Sequence, residues 1–248
     1  MTLQTHQVSP ALQINSAIAL TSEQRNYLWN VLRLETGAEF IALDRQGGWW
    51  LAKLKASDIA EIIAKLENNS ELTAQITLGI AMPKGSNIES VIRQTTELGV
   101  RQIVPLFSDR TVIKSGAEIG NQKRDRWQRI AEESAELSMR NYVPETLAPQ
   151  DLTTWLKGLI QSPSLKYICV TTPAPHLLGS LQNSNLESIS EIVIVTGCEG
   201  GWTTREEERA IAAGFMPVSL GDRVLSAVTA PVVALSIVGA FLDANPDH

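Results

Sequence analysis

The chain has 248 residues, 44% of them hydrophobic and 19% charged, with a formal net charge of −6. At roughly 100–200 residues per domain this is one large domain or two modest ones, and the balance of apolar and charged residues excludes a mainly disordered chain. The opening stretch Met1–Ser16 is polar and predicts no signal peptide, and the most apolar run, Ala230–Leu242, falls short of the ~20 residues of a membrane helix, so no membrane partner is expected.

In chain order, the first 72 residues read as a small β-barrel. Gln13–Leu20, Glu39–Leu43 and Trp49–Lys55 have strand-like patterns, with Asp44-Arg45-Gln46-Gly47-Gly48 as the turn between the last two. A short helix interrupts them: Thr21-x-x-Gln24 forms a capping box, and Tyr27, Leu28, Val31 and Leu32 follow at helical spacing. Glu67-Asn68-Asn69-Ser70 is the linker candidate, which divides the chain into 1–72 and 73–248.

Beyond it, strands and helices alternate. Gln75–Ala81, Gln102–Phe107, Lys166–Thr171, Glu191–Thr196 and Met216–Leu220 read as strands. Ser86-x-x-Glu89 caps a helix running to about Leu98, which Gly99 stops, Lys123–Leu137 and Asp151–Ile160 are helical, Thr203-x-x-Glu206 caps another helix, and Thr229–Leu242 is the last. Such alternation implies a mainly parallel sheet covered on both faces.

Chemistry is sparse at the level of single motifs. Cys169 and Cys198 make no disulfide framework, and His6, His176 and His248 are too scattered for a zinc pattern, so no metal and a cytoplasmic location are expected. Arg101–Arg129 holds seven basic residues against three acidic ones, a locally positive segment that suits either a phosphate ligand or a solvated face. In parallel sheets ligands bind beyond the carboxyl ends of the strands. Thr196-Gly197-Cys198-Glu199-Gly200-Gly201-Trp202 stands there, between a buried strand and a capped helix. Its glycines suit a close ligand or a tight turn. Neither a dinucleotide fingerprint nor a P-loop is present. Ser219-Leu220-Gly221-Asp222-Arg223-Val224-Leu225 follows another strand, and its arginine suits a phosphate or carboxylate, or a surface ion pair.

Taken in order, Lys84-Gly85, Thr96-Glu97-Leu98-Gly99-Val100, Arg110, Arg140 with Val143-Pro144-Glu145, Gly197-x-Glu199-Gly200-Gly201 and Ser219-Leu220-Gly221-x-Arg223-Val224-Leu225 resemble the RsmE family, 16S ribosomal RNA uridine-N3 methyltransferases of the SPOUT class. Val31-Leu32-Arg33-Leu34 with Gly37 resembles that family's PUA-like barrel. The resemblance implies an α/β domain with a trefoil knot behind an RNA-binding barrel. It also implies a homodimer, S-adenosylmethionine as cofactor and the small ribosomal subunit as partner. Carried onto this chain, it implies cofactor contacts from Thr171, Thr172, Thr196, Gly197, Glu199, Gly200, Gly201, Ser219, Leu220, Gly221, Val224 and Leu225. It makes Arg140, Arg223 and Glu199 the catalytic candidates and Arg33, Lys84 and Arg110 the RNA contacts. Glu199 has an equal case as a loop and helix-start residue, and a side chain at Gly200 is expected to fill the cofactor's space.

Departures fall on the substrate side. Leu137-Ser138-Met139-Arg140 stands where the family usually has Gln-Ser-Gly-Arg, and Val224-Leu225-Ser226-Ala227-Val228 lacks the arginine and glutamate of the usual Ile-Leu-Arg-Thr-Glu. Two alternatives follow: an RNA-binding relative with impaired catalysis, and a methyltransferase for a different RNA.

Overall fold

The computed structural model describes residues 2–4, 13–44, 47–56, 58–112, 121–184 and 190–245. Arg45, Gln46, His6 and His248, named above, lie outside them, as do residues 113–120 of the locally basic Arg101–Arg129 segment. The chain forms two compact units, 1–71 with 135–143, and 72–134 with 144–248. Among the described residues no helix is long and apolar enough to cross a membrane.

In the first unit β1 (Thr2–Gln4), β2 (Ala17–Ala19), β3 (Glu39–Leu43), β4 (Trp49–Ala56) and β5 (Ile59–Leu66) form one sheet in the order β1-β3-β4-β5-β2. β1 runs parallel to β3 and the other pairs are antiparallel. The period-2 rule is visible on its buried face, where Phe40 and Ala42, Trp50, Ala52 and Leu54, and Ala60 and Ile62 share one core with Leu20 and Leu28. The capping box at Thr21 forms, but α1 (Ser22–Arg25) is a single turn and continues as a π-helix over Asn26–Val31. β2 covers only the end of the expected Gln13–Leu20 strand. β5 was not expected: with Ile59 and Ile63 off the core face, its apolar residues do not alternate cleanly.

The second unit is a parallel sheet of β6 (Gln75–Ala81), β7 (Gln102–Phe107), β8 (Glu145–Thr146), β9 (Gln150–Asp151), β10 (Leu165–Cys169), β11 (Glu191–Thr196) and β12 (Met216–Val218). The order is β12-β10-β11-β6-β7-β8, with β9 also on β7. Its helices are α2 (Asn87–Glu97), α3 (Asn121–Leu137), α4 (Leu152–Gly158), α5 (Leu177–Gln182), α6 (Thr204–Ala212) and α7 (Thr229–Asp243). Central strands buried on both faces read as near-continuous apolar runs, which is why β6, β7 and β11 match their expected bounds. Gly79 lets the Trp155 indole lie on β6; a Cβ there would come within 2.6 Å of the ring.

Helix starts differ in how they are capped. Thr203 and Glu206 make both capping-box bonds. The cap expected at Ser86 does not form: its side chain makes no cap bond, and α2 begins from a backbone turn in which Glu89 N–H donates to Ser86 O at 3.0 Å. α5 starts on an unusual cap, the His176 imidazole, whose Nδ1 accepts the Leu178 N–H at 3.2 Å, and no Ser, Thr, Asp or Asn announces it.

Candidate active site

Sheet order brings the carboxyl ends of β6, β11, β10 and β12 side by side, so the segments after them form one rim. Backbone bonds stitch two of these segments together: Ser219 N–H donates to Pro175 O at 2.8 Å, and Leu177 N–H donates to Ser219 O at 3.0 Å. The site is built from backbone crossings, not from a cluster of titratable groups.

The loop after β11 needs its glycines. Gly201 has φ +66° and its N–H closes a turn onto Cys198 O at 2.8 Å. A Cβ on Gly197 would lie 3.3 Å from the Gly201 Cα, so the two glycines pass at close range. Trp202 then anchors the loop, buried, with Nε1 donating to Cys169 O at 3.0 Å. In the loop after β12, Gly221 has φ +116° and its N–H donates to Ser219 Oγ at 3.1 Å. Ser226 Oγ accepts the Thr229 N–H at 3.1 Å and so serves the start of α7, where Val228 offers no side-chain cap.

Between these two loops and the end of β10 lies a cavity open to solvent. Of the residues expected at the cofactor, Thr171, Gly197, Gly201, Ser219, Leu220, Gly221, Val224 and Leu225 line it. Thr172, Thr196, Glu199 and Gly200 do not. Thr196 is fully buried, and Gly200 faces the other way: a Cβ there would meet the Arg110 side chain at 3.0 Å. A Cβ on Gly200 would thus lie against Arg110, and of the neighbours Gly200 and Gly201 it is Gly201 that lines the cavity.

Several lining residues were not among the expected cofactor contacts. Cys169, Cys198 and Trp202 supply apolar wall, and Glu207 and Asp222 supply carboxylates. Glu207 lies one residue past the capping-box glutamate, and that position in the first turn is the one signal that could have found it. Burial pushes the Cys169 thiol up from 9.0 to about 12, so it stays protonated at neutral pH.

The catalytic candidates separate sharply. Arg223 lines the cavity and is exposed, with no ion pair or hydrogen bond among the described residues. Arg140 lies in the first unit, 2% exposed and ion-paired with Glu71. Glu199 is exposed, its Oε1 accepting the Lys84 N–H at 3.1 Å. Arg110 donates from Nη1 to Gly200 O. Arg33 is exposed in the first unit with φ +55°, and the Lys84 side chain is exposed in the second.

A glycine-walled cavity at the carboxyl end of a parallel sheet, preceded by a small β unit, fits a cofactor-binding α/β domain, and the family matches make it a SPOUT-type RNA methyltransferase with a PUA-like domain. The RNA methyltransferase domain family matches residues 70–239, and the RNA methyltransferase PUA domain family matches residues 20–67. Ribosomal RNA small subunit methyltransferase E of Synechocystis sp. is 42% identical over 239 residues, 95% of this chain and 77% of that protein. Its Bacillus subtilis counterpart is 29% identical over 231 residues, 89% and 88% of the two chains. The structure of such an enzyme from Neisseria gonorrhoeae, bound to S-adenosylmethionine, is similar with a TM-score of 0.85 at 27% identity, over 97% of both chains. A methyltransferase from Legionella pneumophila, also holding that cofactor, gives 0.82 at 26% identity over 97% of both. The chain belongs to the RsmE family.

Proposed function

We propose that this RsmE-family chain transfers the methyl group of S-adenosylmethionine to N3 of a uridine in 16S ribosomal RNA. S-adenosylmethionine-dependent methylation of 16S rRNA is the activity of RsmE-type enzymes, and the match runs through both units of this chain. The observation that carries the reading is the cavity between Gly197–Trp202 and Ser219–Ser226 with Arg223 on its wall.

The cavity suits the cofactor. Leu220, Leu225 and Trp202 offer apolar surface for a purine, and Gly197, Gly201 and Gly221 leave main-chain groups uncovered by any Cβ. Glu207 provides an anion to face a cation. When bound, the cofactor supplies a methyl group on a sulfonium, a leaving group activated without help from the protein.

This chain's residues must then position the acceptor and ease loss of the uracil N3 proton. We assign that second task to Arg223, whose uncommitted guanidinium favours the anionic imide over the neutral one. Arg140 is already neutralised by Glu71, which gives it a structural role in this reading. Glu199 holds its loop against Lys84. Arg33 and Lys84, exposed and cationic, are the proposed rRNA contacts. A homodimer and a cytoplasmic setting complete the proposal.

A second reading, RNA binding with impaired catalysis, has one observation in its favour: Ser226, on the cavity wall, stands where the family usually has arginine and is engaged with Thr229. Cofactor titration followed by methyl transfer to unmodified small subunits tests both. Binding with transfer supports the first reading; binding without transfer supports the second.

A further inference from the structure

The segment after β7 meets both the glycine loop after β11 and the start of the helix that follows it. Arg110 Nη1 donates to Gly200 O, and the Arg110 stem packs under Gly200, where an added Cβ would lie 3.0 Å from its Cβ and 3.2 Å from its Cδ. Asp109 N–H donates to Glu206 Oε1 at 2.8 Å, and Glu206, 2% exposed, takes the Thr203 N–H on its other oxygen at 2.8 Å. Thr203 Oγ lies 3.2 Å from Asp109 Oδ2 and 2.9 Å from Glu206 Oε2, so its single proton serves one carboxylate at a time. The loop is pinned on both sides of Gly201.

We infer that Arg110 is a positioning residue for the cofactor loop, acting through the Gly200 carbonyl and the adjacent Gly201, and is not an rRNA contact. The geometry favours this assignment: Arg110 is exposed, yet one arm of its guanidinium is committed to a main-chain carbonyl and its stem fills the space that Gly200 leaves open. Gly200 is then glycine because of Arg110: its bare Cα is what admits the stem. Fixing the Gly200–Gly201 peptide from behind orients the wall of the cavity without touching its contents. The inference rests on the reading of that cavity as the S-adenosylmethionine site.

The test compares Arg110→Met, which keeps the stem and removes the donor, with Arg110→Lys, which restores a donor. S-adenosylmethionine affinity is measured by titration calorimetry, and affinity for unmodified small subunits is measured across a salt series. Arg110→Met should weaken the cofactor about tenfold, the size expected for losing a charge-assisted hydrogen bond, with Arg110→Lys recovering to within about threefold. Subunit affinity and its salt slope should not move. Gly200→Ala, which presses on the Arg110 stem, should weaken the cofactor in the same direction and stands in if Arg110→Met fails to fold. Unchanged cofactor affinity in a folded Arg110→Met, or a salt slope reduced by about one, the signature of a lost phosphate contact, overturns the inference alone. A wild-type chain that does not bind S-adenosylmethionine overturns the cavity reading with it.

Discussion

Arg140 and Glu71 form a buried ion pair, with side chains 3% and 14% exposed, that ties the segment after α3 to the end of the first unit. Glu71 Oε1 also accepts the Arg140 Nε–H at 3.3 Å, the Asn141 N–H at 2.9 Å and the Tyr142 N–H at 3.2 Å. Asn141 extends the network, its Nδ2 donating to Gly47 O and Asn68 O and its Oδ1 accepting the Ser70 N–H. Removing one partner of a buried pair costs about 3–5 kcal/mol because the other charge is left stranded. Arg140→Ala is therefore expected to lower the melting temperature by about 10 °C. An unchanged melting curve with a large loss of turnover would return Arg140 to the chemistry.

Met139 adopts φ +58° at the position where the family usually has glycine. Its carbonyl accepts the Ser70 hydroxyl at 2.8 Å, which holds the left-handed turn in place. A non-glycine residue there carries roughly 1–3 kcal/mol of strain, offset by the ~0.5–1 kcal/mol that glycine's unfolded-state freedom costs. Met139→Gly should be stabilising by about 1 kcal/mol in denaturant unfolding, and Met139→Val should be clearly destabilising. The opposite order would show that the turn is not under strain.

Arg223 is the accessible cation on the cavity wall. If it stabilises the uracil anion, Arg223→Ala should lower kcat by roughly 10²–10³, the range for losing one preorganised donor to a developing anion. Cofactor affinity should change by less than about threefold, well under one such interaction. Steady-state kinetics paired with cofactor titration reads the two apart; an equal loss in both would make Arg223 a cofactor contact only.

Cys169 gives a pH signature. In the folded chain its thiol ionises near 12, against 9.0 for an ordinary thiol, so between those values the unfolded state holds fewer protons than the folded one. Stability is unaffected below pH 9 and falls as pH rises from 9 to 12, by up to ~1.4 kcal/mol per unit. Burial raises the Tyr167 phenol too, adding to the loss above its ordinary 10.0. Cys169→Ala should flatten the first part of that slope in unfolding curves taken at successive pH values. An identical slope would place the alkaline sensitivity elsewhere.

The doubly buried strands are legible in sequence because short apolar runs bounded by polar residues have few other uses, and β6, β7 and β11 follow their expected bounds. β5 was not, since Ala60 and Ile62 alone turn inward from an otherwise unpatterned run. α5 escaped because its cap is a histidine. At the site, the two glycine loops were readable, but which glycine faces the cavity was not. Gly200 and Gly201 are neighbours in sequence, and only the packing of Arg110 against one of them tells them apart. The partnership of Arg140 with Glu71 spans 69 positions and follows from no local rule.

The central claim is met most directly by incubating the chain with labelled S-adenosylmethionine and small ribosomal subunits that lack the modification, then digesting the 16S rRNA to nucleosides. The account predicts label in N3-methyluridine alone, with Ser226 a tolerated variation on the cavity wall. No label in a protein that still binds the cofactor, or label in any other nucleoside, would contradict it.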